Sequence, residues 1–339
     1  MNKIEYYGTL GPACAREDIL VSMFEAGMTG IRLNLSHKSL EESRKWVDLY
    51  QKAAKKCGKK GELLIDLMGP EIRIGNMDVP MDLKEGEKAL LGKDGIEIPY
   101  YIEETLEVGQ TILLDDGKIE LVVLENNVEK NRRRHTISCS VIRGGILKSR
   151  KSLAVPGVTF HNPTLTKEDL KNLEDAKKYD VTAVMLPFVR GKEDLICLQH
   201  ALKECGSEDI RIFAKIENME GVEKLPELLP YCDQIVIARG DLGNAVPLTS
   251  LPVVQQEISD LCKKEGMPFM VVTQMLQSMM GSPVPTRAEV TDIFHAIKEG
   301  ASSVMLTGET AAGRYPVEAM RVLVDTGEAA LTWKRGKIG

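Results

Sequence analysis

Eight short apolar runs recur along the chain with amphipathic stretches between them, and this rhythm constrains the fold more than any other feature. The runs are 3–10, 30–35, 62–67, 182–189, 211–216, 234–238, 268–273 and 302–306. Several are apolar on nearly every residue, as parallel strands covered on both faces must be. Between most of them, helical spacing of apolar residues marks 15–26, 40–56, 192–204, 250–265 and 286–299. Ser39, Thr166 and Pro285-Thr286 stand where helices should start, and Gly27, Gly58, Gly266 and Gly300 where they should stop. Eight βα units fit a closed α/β barrel, the (β/α)8 or TIM barrel, better than an open sheet.

The rhythm breaks once. From 76 to 156 helical periodicity is scarce, and short alternating strands are separated by turn pairs such as Val108-Gly109-Gln110 and Asp115-Asp116-Gly117. The expected organisation is a barrel built from 1–75 and 157–339, with a small all-β domain at 76–156 inserted after barrel strand three. That is the end of a barrel where active sites lie, so the insertion is expected to act as a lid.

At 43% hydrophobic and 28% charged, the chain has material for a sizeable core but no run near the ~20 apolar residues of a membrane helix. Met1-Asn2-Lys3-Ile4-Glu5 lacks a signal-peptide profile, so a cytoplasmic protein is expected. A net charge of −6 argues against nucleic acid as a partner. The one basic cluster, Arg132-Arg133-Arg134-His135, reads as a solvated hairpin tip. The seven cysteines form no C-x-x-C pair and read as reduced, small hydrophobes.

Polar residues gather where the strands end: Arg32, Asn34 and Ser36 after strand two, Asp66 at strand three, Lys215 and Glu217 at strand five, Gly240-Asp241 after strand six, Thr273 at strand seven and Glu309 after strand eight. Any one could be a salt bridge or a cap. Six strands ending this way together is hard to explain by packing. Glu217 and Asp241 are hard oxygen donors from adjacent strands, suited to Mg²⁺ or Mn²⁺. Arg32 and Lys215 would place positive charge beside that metal, an arrangement that stabilises a phosphoryl group in flight. Thr273 is a neutral hydroxyl able to relay a proton. No Walker A loop, G-x-G-x-x-G or H-E-x-x-H occurs, which removes P-loop, Rossmann and zincin chemistry.

These strand ends carry a family resemblance. Thr9-Leu10-Gly11-Pro12, Ile31-Arg32-Leu33-Asn34-Leu35-Ser36-His37, Lys215-Ile216-Glu217-Asn218, Ala238-Arg239-Gly240-Asp241-Leu242-Gly243, Thr273-Gln274-Met275-Leu276, Pro285-Thr286-Arg287-Ala288-Glu289 and Thr307-Gly308-Glu309-Thr310 resemble pyruvate kinase, in order, from about 3 to 330. The resemblance implies phosphoryl transfer from phosphoenolpyruvate to ADP, giving pyruvate and ATP. It implies that Glu217 and Asp241 hold Mg²⁺, that Lys215 and Arg32 neutralise the phosphoryl, and that Thr273 assists protonation, with Gly240, Asp241 and Thr273 around the substrate. Asn34, Ser36, Asp66 and the Leu67 carbonyl resemble a K⁺ site, and His37 and Arg73 resemble nucleotide contacts. Glu71 occupies a position where the family's K⁺-dependent members carry Glu.

The resemblance also implies differences. The family usually continues into a C-terminal domain of roughly a hundred residues that carries a sugar-phosphate effector site, so such allostery is expected to be missing here. The segment after strand four reads Pro187-Phe188-Val189-Arg190 in place of Ser-Phe-Ile/Val-Arg, and Asn172-Leu173-Glu174-Asp175 replaces Asp-Leu-x-Phe. These changes leave open a phosphoenolpyruvate-dependent enzyme with another acceptor, or a non-catalytic paralogue. A homodimer through barrel helices is expected, since the segment from Thr286 resembles one near a family interface.

Overall fold

In a computed structural model the described residues are 3–36, 38–69, 72–93, 95–115, 117–127, 136–158 and 163–336. Eight strands are β1 (Glu5–Thr9), β2 (Gly30–Asn34), β3 (Glu62–Asp66), β4 (Ala183–Leu186), β5 (Arg211–Ile216), β6 (Gln234–Ala238), β7 (Phe269–Val272) and β8 (Ser303–Met305). They close into a barrel in sequential order, with β8 pairing back onto β1 and every pair parallel. The alternation of side chains sorts the core into two layers. Tyr7, Leu64, Met185, Phe213, Val236, Met270 and Met305 fill the barrel interior. Their neighbours, such as Leu63, Ile65, Val184, Ile235 and Val271, face the helical ring. Both sides of each strand are therefore dry, which is why the runs read as almost unbroken apolar sequence.

The helices follow from their caps. Thr166 and Thr286 each close a capping box, with Asp169 and Glu289 as the returning carboxylates. Ser39 and Glu42 also exchange hydrogen bonds, at 2.7 and 3.2 Å, but they close only a turn. The helix expected from 40 spans Arg44–Lys56 instead. All seven cysteines are free thiols. Among the described residues, no helix is long and apolar enough to cross a membrane.

The chain divides into two compact units, 1–69 with 164–339, and 70–163. The second contains an antiparallel sheet ordered Leu153–Ala154, Thr111–Leu114, Ile119–Asn126, Thr136–Arg143 and Lys88–Gly92, and a two-stranded ribbon of Met81–Leu83 with Gly145–Leu147. Leu91, Ile112, Leu121, Ile137 and Cys139 form its own core. It begins before the expected 76 because the Ile72 carbonyl accepts from Leu153 N (2.8 Å) and Ile74 N donates to the Lys151 carbonyl (2.9 Å), and it runs on to 163 in place of the expected 156. The basic run at 132–135 lies outside the described residues.

The two crossings between the units share one anchor on the barrel side. Asp169 is fully buried. Its Oδ1 accepts from Met68 N at 2.8 Å, while Oδ2 accepts from Gly69 N at 3.0 Å, Thr166 N at 2.9 Å and Thr166 Oγ1 at 2.9 Å. Gly69 takes a left-handed φ of +60°, and a Cβ there would sit 2.5 Å from Pro187 Cγ, so the position admits only glycine.

Candidate active site

At the C-terminal ends of β2, β3 and β5, four charged side chains interlock. Asp66 Oδ2 accepts from Arg32 Nε at 2.7 Å and pairs with Arg32 Nη2 at 2.6 Å and Lys215 Nζ at 3.5 Å. Lys215 Nζ also lies 2.9 Å from Glu217 Oε1. Asp66 and Glu217 are 2% and 3% exposed, so these charges interact with little screening by water. Burial by itself pulls the Lys215 ammonium toward a lower pKa. The carboxylates of Asp66, Glu217 and Asp241 outweigh both that penalty and the opposing Arg32 charge, and hold the ammonium above the ordinary lysine range.

Glu217 is aimed by backbone. Its Oε2 accepts from Phe188 N at 2.8 Å, and Phe188 presents that N–H from a left-handed φ of +52°. Asp66 Oδ1 accepts no hydrogen bond, Glu217 Oε1 has only the Lys215 ammonium beside it, and both oxygens are screened from solvent. Buried anionic oxygens with spare lone pairs are suited to a hard cation. Among the described residues no group of three His, Cys, Asp or Glu side chains forms a metal cluster, so a cation here would draw further ligands from elsewhere.

Gly240 and Asp241 open the short helix Arg239–Ala245 after β6. A Cβ at Gly240 would come within 3.0 Å of Thr273 Cγ2, so the absent side chain lets β6 and β7 ends approach. Thr273 has φ +77°, a left-handed conformation that costs a β-branched residue on the order of 1–3 kcal/mol. Asn34 stands opposite Asp66 in the β2–β3 register, and its Oδ1 accepts from Ser36 N at 3.1 Å. Leu67 follows, its N–H spent on the Met185 carbonyl at 3.1 Å.

The barrel thus brings Arg32, Asp66, Lys215 and Glu217 into contact, sets Asp241 within electrostatic reach, and lines Asn34, Ser36 and Leu67 along neighbouring strand ends. Arg73 belongs to the inserted unit, where its Nη1 donates to the Arg150 carbonyl at 2.8 Å. His37 and Glu71 lie outside the described residues. Glu309 is turned to backbone groups. Fully buried, it accepts from Leu276 N (3.0 Å) and Thr307 N (2.8 Å) and so splices the loops after β7 and β8.

Residues 1–320 match the family model described as pyruvate kinase, barrel domain. The chain belongs to the pyruvate kinase family. Proteins named pyruvate kinase from Staphylococcus epidermidis, Staphylococcus haemolyticus and Staphylococcus aureus are 39%, 38% and 37% identical to it. Each alignment takes in 99% of this chain and 58% of the relative, so the chain spans somewhat over half the length of these pyruvate kinases. Sequence alone did not signal Phe188 as the residue that aims Glu217, because that role belongs to a backbone N–H in an uncommon conformation.

Proposed function

We propose that the barrel transfers the phosphoryl group of phosphoenolpyruvate to ADP, yielding pyruvate and ATP. The observation that carries this reading is the buried ammonium of Lys215, held charged between Asp66 and Glu217 beside the Arg32 guanidinium. Two fixed cations aimed at one position stabilise charge that develops on a transferring phosphoryl. Asp66 orients both. Thr273 Oγ1 holds the proton delivered to the methylene carbon as the enolate collapses to pyruvate. A coupled assay for pyruvate with a panel of nucleoside diphosphates tests the reading. Pyruvate formation that requires ADP supports it; turnover with a different acceptor, or none, overturns it.

The unpartnered Asp66 Oδ1, with Glu217 Oε1 beside the Lys215 ammonium, suits the cations this family generally uses. Glu217 and Asp241 would hold Mg²⁺ or Mn²⁺, whose positive charge polarises the substrate's carboxylate and phosphate oxygens. Asn34, Ser36, Asp66 and the Leu67 carbonyl would hold K⁺, with Glu71 accompanying that dependence. Replacing K⁺ by tetramethylammonium is expected to lower activity at least tenfold, and equal rates in the two salts would remove K⁺ from the reading. His37 and Arg73 are proposed as nucleotide contacts, and the inserted unit as a lid, from its place in the chain after β3. A cytoplasmic enzyme is expected, without nucleic-acid or membrane partners. Pairing of two copies through barrel helices is the reading for assembly, which light scattering in solution will test.

A further inference from the structure

We infer that Arg239, itself fixed by Asp292, is a positioning residue that locks Thr273 in the left-handed conformation its hydroxyl uses. The inference rests on the reading of Thr273 Oγ1 as the group that handles the proton. Arg239 is the first residue after β6, yet its guanidinium crosses to the end of β7. Nε and Nη2 donate to the Thr273 carbonyl at 3.2 and 2.9 Å. Nη2 also reaches Met275 Sδ at 2.8 Å, so one planar fork spans the turn that begins at Thr273. The other edge is held by Asp292, which accepts from Nη1 at 2.8 Å through Oδ1 and 2.7 Å through Oδ2. Asp292 comes from a third element, the helix Arg287–Glu299.

An ordinary structural ion pair would need only the Arg239–Asp292 contact. The additional grip on the Thr273 carbonyl falls at one of the six described non-glycine residues with positive φ, and Gln274, with φ +57°, follows directly. Two consecutive left-handed residues, one of them β-branched, persist only where the surroundings over-determine them. Arg239 supplies that constraint: rotating the carbonyl of Thr273 away from the fork would cost both hydrogen bonds. Gly240 leaves room for the same residue, since a Cβ there would come within 3.0 Å of Thr273 Cγ2. Lysine cannot replace the arginine, since an ammonium has no planar fork to grip the carbonyl and Asp292 together.

The test compares wild type with Arg239→Met, Arg239→Lys and Asp292→Asn, each checked for folding by circular dichroism and thermal melting. For Arg239→Met, kcat should fall at least thirtyfold with KM for phosphoenolpyruvate within threefold. Exchange of pyruvate methyl protons with deuterated solvent, which reports the proton step alone, should fall by a similar factor. Arg239→Lys should resemble Arg239→Met, and Asp292→Asn should fall between it and wild type. Crystal structures of Arg239→Met and Asp292→Asn should show φ of Thr273 relaxed to negative values. Retention of φ near +77° in both variants, or proton exchange within threefold of wild type in a folded Arg239→Met, would overturn the inference. If wild type itself makes no pyruvate, the phosphotransfer reading fails, while the φ measurement still decides the role of Arg239 in holding the turn.

Discussion

Lys215 is the residue whose surroundings do most to define the chemistry. Replacing it by methionine should cut turnover on the order of 10²–10³-fold, the scale for losing one preorganised contact to developing charge. A variant within fivefold of wild type would sink the role. Its pH behaviour follows from the direction of its shift. Because the folded pKa lies above the unfolded value, the ion pairs contribute stability fully below about pH 10.4 and lose it only as pH rises through the folded value. A pH–rate profile should therefore show no alkaline limb from Lys215 between pH 7 and 10. Such a limb that vanished in Lys215→Arg would contradict the assignment. That Arg32, Asp66, Lys215 and Glu217 would gather was legible in the sequence only from their recurrence at the ends of several strands, since any one alone could be a salt bridge or a cap. Glu309 looked the same and is not part of the constellation. Whether a buried acid serves chemistry or two backbone N–H groups depends on which amides face it, and no spacing rule encodes that.

Among the elements, the helix Arg287–Glu299 shows how a cap reaches beyond its own helix. Glu289 returns to Thr286 N at 2.8 Å in the capping box, and also accepts from Ser278 N (2.7 Å) and Ser278 Oγ (2.5 Å) in the 3-10 helix Gln277–Met280 that follows the Thr273 turn. Burial pushes its pKa up, but the hydrogen bonds from Ser278 and Thr286 prevail and bring it below the usual glutamate value. The stability it contributes is thus present above about pH 4.3 and disappears as pH falls through the folded value. Glu289→Gln should lower Tm at neutral pH, with the gap to wild type closing in acid below pH 4; a gap that is constant with pH would assign the loss to shape alone. Thr166 and Thr286 were readable as caps because the returning acid stands three residues on. Ser39 carries the same Ser-x-x-Glu signature but begins a turn, with Leu40 N donating to Asn172 Oδ1 at 2.8 Å. That long-range partner is invisible to a local motif.

For the molecule as a whole, the eight-strand rhythm made the barrel legible, because strands dry on both faces leave a distinctive apolar run. The edges of the inserted unit were not legible from turn composition, since Ile72 and Ile74 join it through backbone bonds alone. Asp169→Ala would strip the acceptor from Met68 N, Gly69 N and Thr166 in one step. One hydrogen bond to a charged group is worth roughly 1.5–3 kcal/mol, and the four made by one carboxylate do not simply add, so the barrel should lose at least about 3 kcal/mol in denaturant unfolding while the inserted unit's own transition stays in place. Coincident loss of both transitions would show the units to be one cooperative block. The same carboxylate bears on how the chain comes off the ribosome. The third barrel strand emerges long before the fourth, separated by the whole of 70–163, and synthesis of that stretch at about 5–20 residues per second takes several seconds. With its own core, the insertion can fold during that wait and draw its two ends together, turning a long entropic loop into a short one. Residue 169 is then translated just after the splice it fastens.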